Sequence, residues 1–210
     1  MNRRTYRSQR RAATAADTGE RIVATAAALL GAQEGIRGFS LEAVAKAAGV
    51  TRLTVYNQFG SRRALLEAVF DDRAARGGMR RVMEAATDPD PRAGLRRLIA
   101  VFCEFWSFDR EAIDRLHAAG ASDPEFDEAL RARNERRRGA LRSLVDRMIR
   151  DAPARVQKLD DETTADLVDV LFALTSFAFF ANLTAGGRPA VLACGLIQSL
   201  AADAVARARL

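Results

Sequence analysis

The stretch of sequence that decides the fold is SLEAVAKAAGVTRLTVYNQF, residues 40–59. It predicts two short helices joined by a tight turn, because Ser40 and Thr51 can each cap a helix and Gly49 stands between them. Glycine at such a turn can adopt the positive φ that other residues avoid. The small Ala45, four positions earlier, allows close packing, and Val55, six positions later, fixes the angle between the helices. This spacing predicts a helix-turn-helix.

The second of these helices presents side chains suited to DNA. Arg52 can donate two hydrogen bonds to guanine, and Asn57 or Gln58 can pair with adenine in the major groove. Thr54 and Tyr56 are better placed for phosphate oxygens, which position a protein without reading sequence. The alternative is a surface helix whose polar residues are incidental.

The charge of the chain is concentrated near the N-terminus. Residues 1–80 contain 14 Lys and Arg against 7 Asp and Glu, whereas the remaining residues contain 19 against 20. A basic segment joined to a nearly neutral body is typical of proteins that contact phosphates, although a solvated surface gives the same count.

A family resemblance rests on these residues. The run FSLEAVAKAAGVT from residue 39, with Thr54, Val55, Tyr56 and Phe59 and then SRRALL from residue 61, resembles the DNA-binding domain of TetR-family regulators over about residues 18–70. Arg62 stands where that family commonly has lysine, and either residue can contact phosphate. The predicted DNA-binding residues are Ser40, Thr51, Arg52, Leu53, Thr54, Tyr56, Asn57, Gln58 and Arg62.

The composition predicts an all-α protein, because Ala, Leu, Arg and Glu dominate and lose little entropy in helices. We expect about nine helices: a three-helix DNA-binding domain with the helix-turn-helix, then a helical ligand-binding and dimerisation domain. Helices are predicted at Thr18–Gln33, Ser61–Met83 and Asp160–Ala185, among others. The predicted domains are a disordered basic arm at 1–16, the DNA-binding domain at 17–62 and the effector-binding and dimerisation domain at 63–210.

The resemblance implies a homodimer on a near-palindromic operator of double-stranded DNA, dimerisation through the last two helices, and a small-molecule effector of unknown identity between them and the DNA-binding domain. An apolar stripe on the final helix, including Val191, Leu192 and Leu200, favours the same interface, and a wholly intrachain core is the alternative. Candidate effector ligands, any of which can instead be plain core, are Phe102, Phe105, Trp106, Phe108, His117, Phe126, Met148 and Phe172.

Other classes of function have little support. With one histidine in the chain, no metal cluster or base–nucleophile pair can be placed, so we expect no enzyme, cofactor or metal. Cys103 and Cys194 lack any partner spacing and are interpreted as single buried thiols in a reducing cytoplasm. The uncharged run Val170–Gly187 is nearly long enough to span a membrane, but its Thr, Ser, Asn and Gly residues favour a buried helix.

A second hypothesis is a helical ligand-binding or adaptor protein whose basic arm holds acidic partners. It rests on the arm and the aromatic stripes and ignores the spacing of Ala45, Gly49 and Val55. Deleting residues 1–16 distinguishes the two: specific DNA binding survives in a regulator, and all binding is lost in an adaptor.

Overall fold

The computed structural model describes residues 3–32, 35–153 and 160–210, with the side chains of residues 3–13, 35 and 36 left out. Every regular element in these ranges is a helix, and the chain forms two compact units, Met1–Arg73 with Arg110–Leu130 and Ala74–Asp109 with Arg131–Leu210. The helices are α1 (Arg3–Gly31), α2 (Gly35–Gly38), α3 (Leu41–Ala48), α4 (Arg52–Phe59), α5 (Arg62–Arg76), α6 (Arg81–Ala86), α7 (Pro91–Phe108), α8 (Arg110–Gly120), α9 (Pro124–Asp151), α10 (Asp161–Leu174), α11 (Phe177–Thr184) and α12 (Ala190–Arg207).

The core of the first unit joins α1, α3 and α4. One face of α1 buries Ile22, Ala26 and Leu30 at helical spacing, and α3 and α4 contribute Val44 and Val55, which are also fully buried. Apolar burial of this kind stabilises by about 1.5–3 kcal/mol for each large side chain. The three helices therefore hold one another in place although α3 and α4 are too short to be stable alone.

The second unit is organised around α7, which packs against α6, α11 and α12. Asp90 caps this helix, its Oδ1 accepting from the backbone N–H of Arg92 at 2.9 Å, and Pro91 occupies the first turn, where a missing N–H costs nothing. The helix buries aromatic side chains along most of its length, including Phe102, Phe105 and Trp106. α7 is the scaffold on which the last helices are placed.

The first helix begins earlier than the sequence predicted. Residues 3–16 belong to α1 and do not form a disordered arm, and the predicted helix end at Gln33 lies outside the described residues. The segment contains no proline and no glycine before Gly19, and its Arg, Gln and Ala residues are good helix formers. The helix propensity of these residues therefore extends α1 toward the N-terminus from the part of the helix that the buried Ile22 holds against the core.

Two predicted helices are each broken in two, and the short α2 was not predicted, so the structure has twelve helices in the described residues where nine were expected. The prediction of one helix at Ser61–Met83 is wrong, because Gly78 adopts φ +84° between α5 and α6. The predicted helix Asp160–Ala185 is likewise divided at Thr175 and Ser176, where α10 and α11 meet at a bend of 49°. The Ser176 hydroxyl accepts from the backbone N–H of Phe179 at 3.1 Å and so begins α11.

The final helix is apolar but largely uncovered. By length and composition alone α12 could cross a membrane, and so could α10 and α11 taken together. Within the protein, 22% of the apolar window of α12 is buried. Ala193, Ile197, Ala201 and Val205 form its buried stripe. Leu192 and Leu200 are exposed, so apolar surface remains for a partner.

Candidate functional site

The turn between α3 and α4 has the geometry expected of a helix-turn-helix. Gly49 adopts φ +66°, and the N–H of Val50 donates to the carbonyl of Ala45 at 3.0 Å, which closes the end of α3. The Ser40 and Thr51 hydroxyls cap α3 and α4, accepting from the N–H groups of Ala43 at 3.0 Å and Thr54 at 3.1 Å. The predicted caps and the predicted turn are confirmed.

The outer face of α4 is free of packing. Val55 is fully buried, whereas Arg52, Leu53, Tyr56, Asn57 and Gln58 are exposed. Leu53 is 65% and Tyr56 55% exposed, so both side chains are available for contact with a partner. The free N–H groups and partial positive charge of its N-terminus favour an anion such as phosphate.

The structure separates the two amides that were predicted to read adenine. The Nε2 of Gln58 donates to the backbone carbonyl of Ala15 on α1 at 3.0 Å, which turns this side chain toward its own protein. Asn57 is exposed, and its side-chain amide makes no hydrogen bond within the described part of the chain. Asn57 is therefore the amide better placed to meet a base edge.

Arg62 is held on three sides. Its Nε donates to the Phe39 carbonyl at 3.2 Å, its Nη1 lies 3.3 Å from Oδ2 of Asp123, and its guanidinium carbon lies 5.6 Å from the centre of the Phe39 ring. Asp123 also caps α9, since its Oδ1 accepts from the N–H of Phe126 at 3.1 Å. The contact with phosphate predicted for Arg62 must therefore compete with a carboxylate.

The candidate effector ligands fall in both units. His117 and Phe126 belong to the first; Phe126 is fully buried, and the Nδ1–H of His117 donates to the Ile113 carbonyl at 2.8 Å. The others belong to the second unit. Phe102, Phe105, Trp106 and Met148 are buried there, Phe172 is half-buried and Phe108 is 44% exposed.

A buried cation lies among these aromatic rings. The guanidinium carbon of Arg137, on α9, is 4.1 Å from the centre of the Phe172 ring and 5.7 Å from that of Phe102, and Nη1 is 3.5 Å from the Thr175 hydroxyl. Among the described residues no carboxylate pairs with it, and its Nε has no hydrogen-bond partner. Burial and the nearby Arg138 lower the pKa of Arg137 to about 10, which leaves it charged at neutral pH. The burial of Arg137 could not be predicted from the sequence, because it lies within an arginine-rich run that predicted a solvated face.

Several cavities open in the second unit, and two of them lie between helices. One of about 510 Å³ lies between α7, α12 and the turn at Gly77 and Gly78, and Phe108 lines it together with both cysteines. Another of about 390 Å³ lies between α10 and α12, where Val170, Leu174 and Leu200 form its apolar wall. Apart from Phe108, the predicted effector ligands line neither cavity.

The comparisons with known proteins agree with this geometry. Residues 22–69 match the family described as bacterial regulatory proteins, tetR family. This range contains α3, α4 and nearly all of α1's buried face. No curated protein matches the sequence significantly.

Solved structures share the fold of the whole chain at low identity. A TetR-like transcriptional regulator from a Rhodococcus species is 20% identical, with 90% of this chain and 96% of that one covered and a TM-score of 0.61. The TetR-family regulator PfmR from Thermus thermophilus is 18% identical, with coverage of 88% and 93% and a TM-score of 0.63. The multidrug binding protein EbrR, solved with imidazole, is 23% identical, with coverage of 86% and 88% and a TM-score of 0.56.

Proposed function

We propose that the chain is an effector-responsive repressor of the TetR family, with that family's DNA-binding domain at residues 22–69. In this proposal it acts in the cytoplasm as a homodimer, and its two α4 helices enter successive major grooves of a palindromic operator. Half-sites one helical turn apart require a separation of about 34–36 Å between the two helices.

The observation that carries the proposal is the exposed face of α4. Arg52 lies in its first turn, one residue after the Thr51 cap, where its guanidinium can reach a guanine edge while the helix N-terminus approaches a phosphate. Tyr56, one turn further along the same helix, is exposed and supports a phosphate contact.

The test is selection of bound sequences from random duplex DNA, followed by affinity measurements on the selected operator. Arg52→Ala is expected to reduce discrimination at one base pair by about 1–3 kcal/mol while the protein stays folded. Arg92→Ala, which removes an exposed arginine from α7, is the matched control and should leave discrimination unchanged. Equal affinity of the unaltered protein for operator and random duplex at every salt concentration contradicts the proposal.

The proposed dimer rests on apolar surface in the second unit. Val170 on α10 and Leu192 and Leu200 on α12 are exposed, and the 390 Å³ cavity between these helices offers a hollow for a partner side chain. The same surface of a second copy would cover the exposed side chains and fill the cavity, as in an isologous interface.

The proposed effector site is the aromatic cluster around Arg137, which lies outside both cavities described above. A buried guanidinium with no carboxylate partner among the described residues favours a ligand with an apolar body and a negative group, because such a ligand would supply the missing anion. Binding would shift the population between operator-binding and released forms, by as much as the ligand's affinities for the two forms differ. A thermal-shift screen of aromatic and acyl carboxylates tests this, and Arg137→Met should abolish any stabilisation found.

A further inference from the structure

The two cysteines of the chain lie far apart in sequence but share one cavity. Cys103 is on α7 and Cys194 on α12, and both line the 510 Å³ cavity of the second unit. The sequence predicted two unrelated thiols, because residues 103 and 194 have no helical or motif spacing. The packing of α12 on α7 brings them together.

The two thiols interact where α12 packs on α7. A hydrogen bond between them raises the pKa of Cys103 and lowers that of Cys194. One turn along α12, Nε2 of Gln198 donates to the Arg96 carbonyl of α7 at 3.0 Å. Ala193 and Ile197, next to these two residues on α12, are buried, so the packing of the helices is fixed close to both cysteines.

The two thiols differ in accessibility. Cys103 is buried, with 5% of its surface exposed, whereas Cys194 is only half-buried and faces the open cavity. Attack on a small oxidant requires an accessible thiolate, and resolution requires a second thiol within reach. Cys194 fits the first role and Cys103 the second.

We propose that Cys103 and Cys194 form a peroxide-sensitive dithiol that closes to a disulfide between α7 and α12. The Cys194 thiolate attacks one peroxide oxygen and the O–O bond breaks. Cys194 becomes a sulfenic acid, and the leaving oxygen takes up the proton lost by the Cys194 thiol and departs as water or an alcohol. The Cys103 sulfur then attacks the Cys194 sulfur, the S–O bond breaks, and the hydroxyl leaves as water with the Cys103 proton. Two thiols lose two electrons, and the peroxide gains them. This chemistry is independent of whether the chain binds DNA.

The test treats the reduced full-length protein with a few equivalents of hydrogen peroxide. We expect titratable thiols to fall from two to none per chain, the intact mass to drop by two hydrogens, and a peptide map under non-reducing conditions to contain Cys103 linked to Cys194. Dithiothreitol should restore both thiols. Because the chain has only these two cysteines, every lost thiol is assigned.

Serine variants separate the two roles. Cys103→Ser should leave a sulfenic acid on Cys194 that dimedone traps, and Cys194→Ser should leave Cys103 as a thiol under the same treatment. Circular dichroism confirms that both variants are folded. The proposal is overturned if the native protein keeps both thiols, if Cys194 proceeds to sulfinic acid without a disulfide, or if the only product is a covalent dimer through Cys194.

Discussion

The guanidinium of Arg62 lies 3.3 Å from the carboxylate of Asp123, so a side chain predicted to contact DNA already has an anionic partner within its own protein. The arginine is 37% exposed and the aspartate 24%, so the pair is partly screened by solvent. Phosphate and Asp123 are therefore alternative partners for one cation.

Asp123→Asn is expected to strengthen DNA binding. Asparagine caps a helix as well as aspartate does, so α9 keeps its N-terminus while Arg62 loses its competing charge. Affinity should rise a few-fold on operator and random duplex alike, and the plot of log affinity against log salt should steepen. Arg62→Ala should flatten the plot, and the two changes in slope should together amount to about one unit, because one cation neutralises one phosphate. The double variant should match Arg62→Ala. Weaker binding by Asp123→Asn contradicts the competition.

Asn57→Ala and Gln58→Ala should differ in their effect on sequence preference. Asn57 is exposed, whereas the Gln58 amide is bound to the Ala15 carbonyl, so loss of Asn57 should remove an adenine preference worth about 1–3 kcal/mol. Gln58→Ala should leave the selected sequence unchanged. Repeating the selection with each variant measures the adenine preference. If Gln58→Ala loses the preference and Asn57→Ala keeps it, Gln58 leaves α1 to contact the base.

Charges on the exposed apolar surface of α10 and α12 should disrupt the dimer. Val170→Glu and Leu200→Glu each place a charge where a second copy is proposed to pack, and should raise the dissociation constant at least about tenfold. Met83→Glu alters another exposed apolar residue, on α6 of the same unit, and is the control. Light scattering over a dilution series measures the mass of the particle in solution. A monomeric native protein, or dimerisation that neither change affects, contradicts the proposed interface on α10 and α12.

Two glycines in helices should respond oppositely to alanine. A Cβ on Gly94 would lie 2.5 Å from the Ala85 carbonyl oxygen and 2.9 Å from Cδ2 of Leu144, so Gly94→Ala should lower the free energy of unfolding by about 1–3 kcal/mol. A Cβ on Gly139 meets nothing within 4 Å, so Gly139→Ala should raise it by about 0.5–1 kcal/mol. Urea unfolding measures both, and equal shifts would contradict the close approach at Gly94.

Oxidation should stabilise the protein if the disulfide forms without strain. Closing the long loop between residues 103 and 194 removes conformational freedom from the unfolded chain, which is worth up to about 4 kcal/mol. Peroxide treatment should therefore raise the melting temperature, and dithiothreitol should reverse the rise. Cys103→Ser provides the control, with no rise expected.

The helix-turn-helix could be predicted because its signals are local. Ser40, Gly49 and Thr51 act on backbone groups within four residues of themselves, and α3 and α4, which contain Ala45 and Val55, pack on each other as well as on α1. Helix caps and turn glycines of this kind can be recognised in the sequence.

The remaining features depend on contacts distant in sequence. The break at Thr175 contains neither proline nor glycine, and the Trp106 indole N–H, from α7, satisfies the Thr175 carbonyl at 3.1 Å. The pairing of Cys103 with Cys194 and the burial of Arg137 beside Phe172 likewise arise only when helices pack. Periodicity indicates that a residue is covered but does not identify the neighbour that covers it.

Because Trp106 is hydrogen-bonded to Thr175, its fluorescence reports on the contact between α7 and the bend after α10. Trp106 is the one tryptophan in the sequence, it lies one turn from Cys103, and its ring is 4.6 Å from that of Phe105 and 5.5 Å from that of Phe177, centre to centre. Its emission therefore comes from a single site where α7 meets the bend between α10 and α11. A ligand, a subunit contact or a cross-link that moves these helices can be followed by intrinsic fluorescence, without any label.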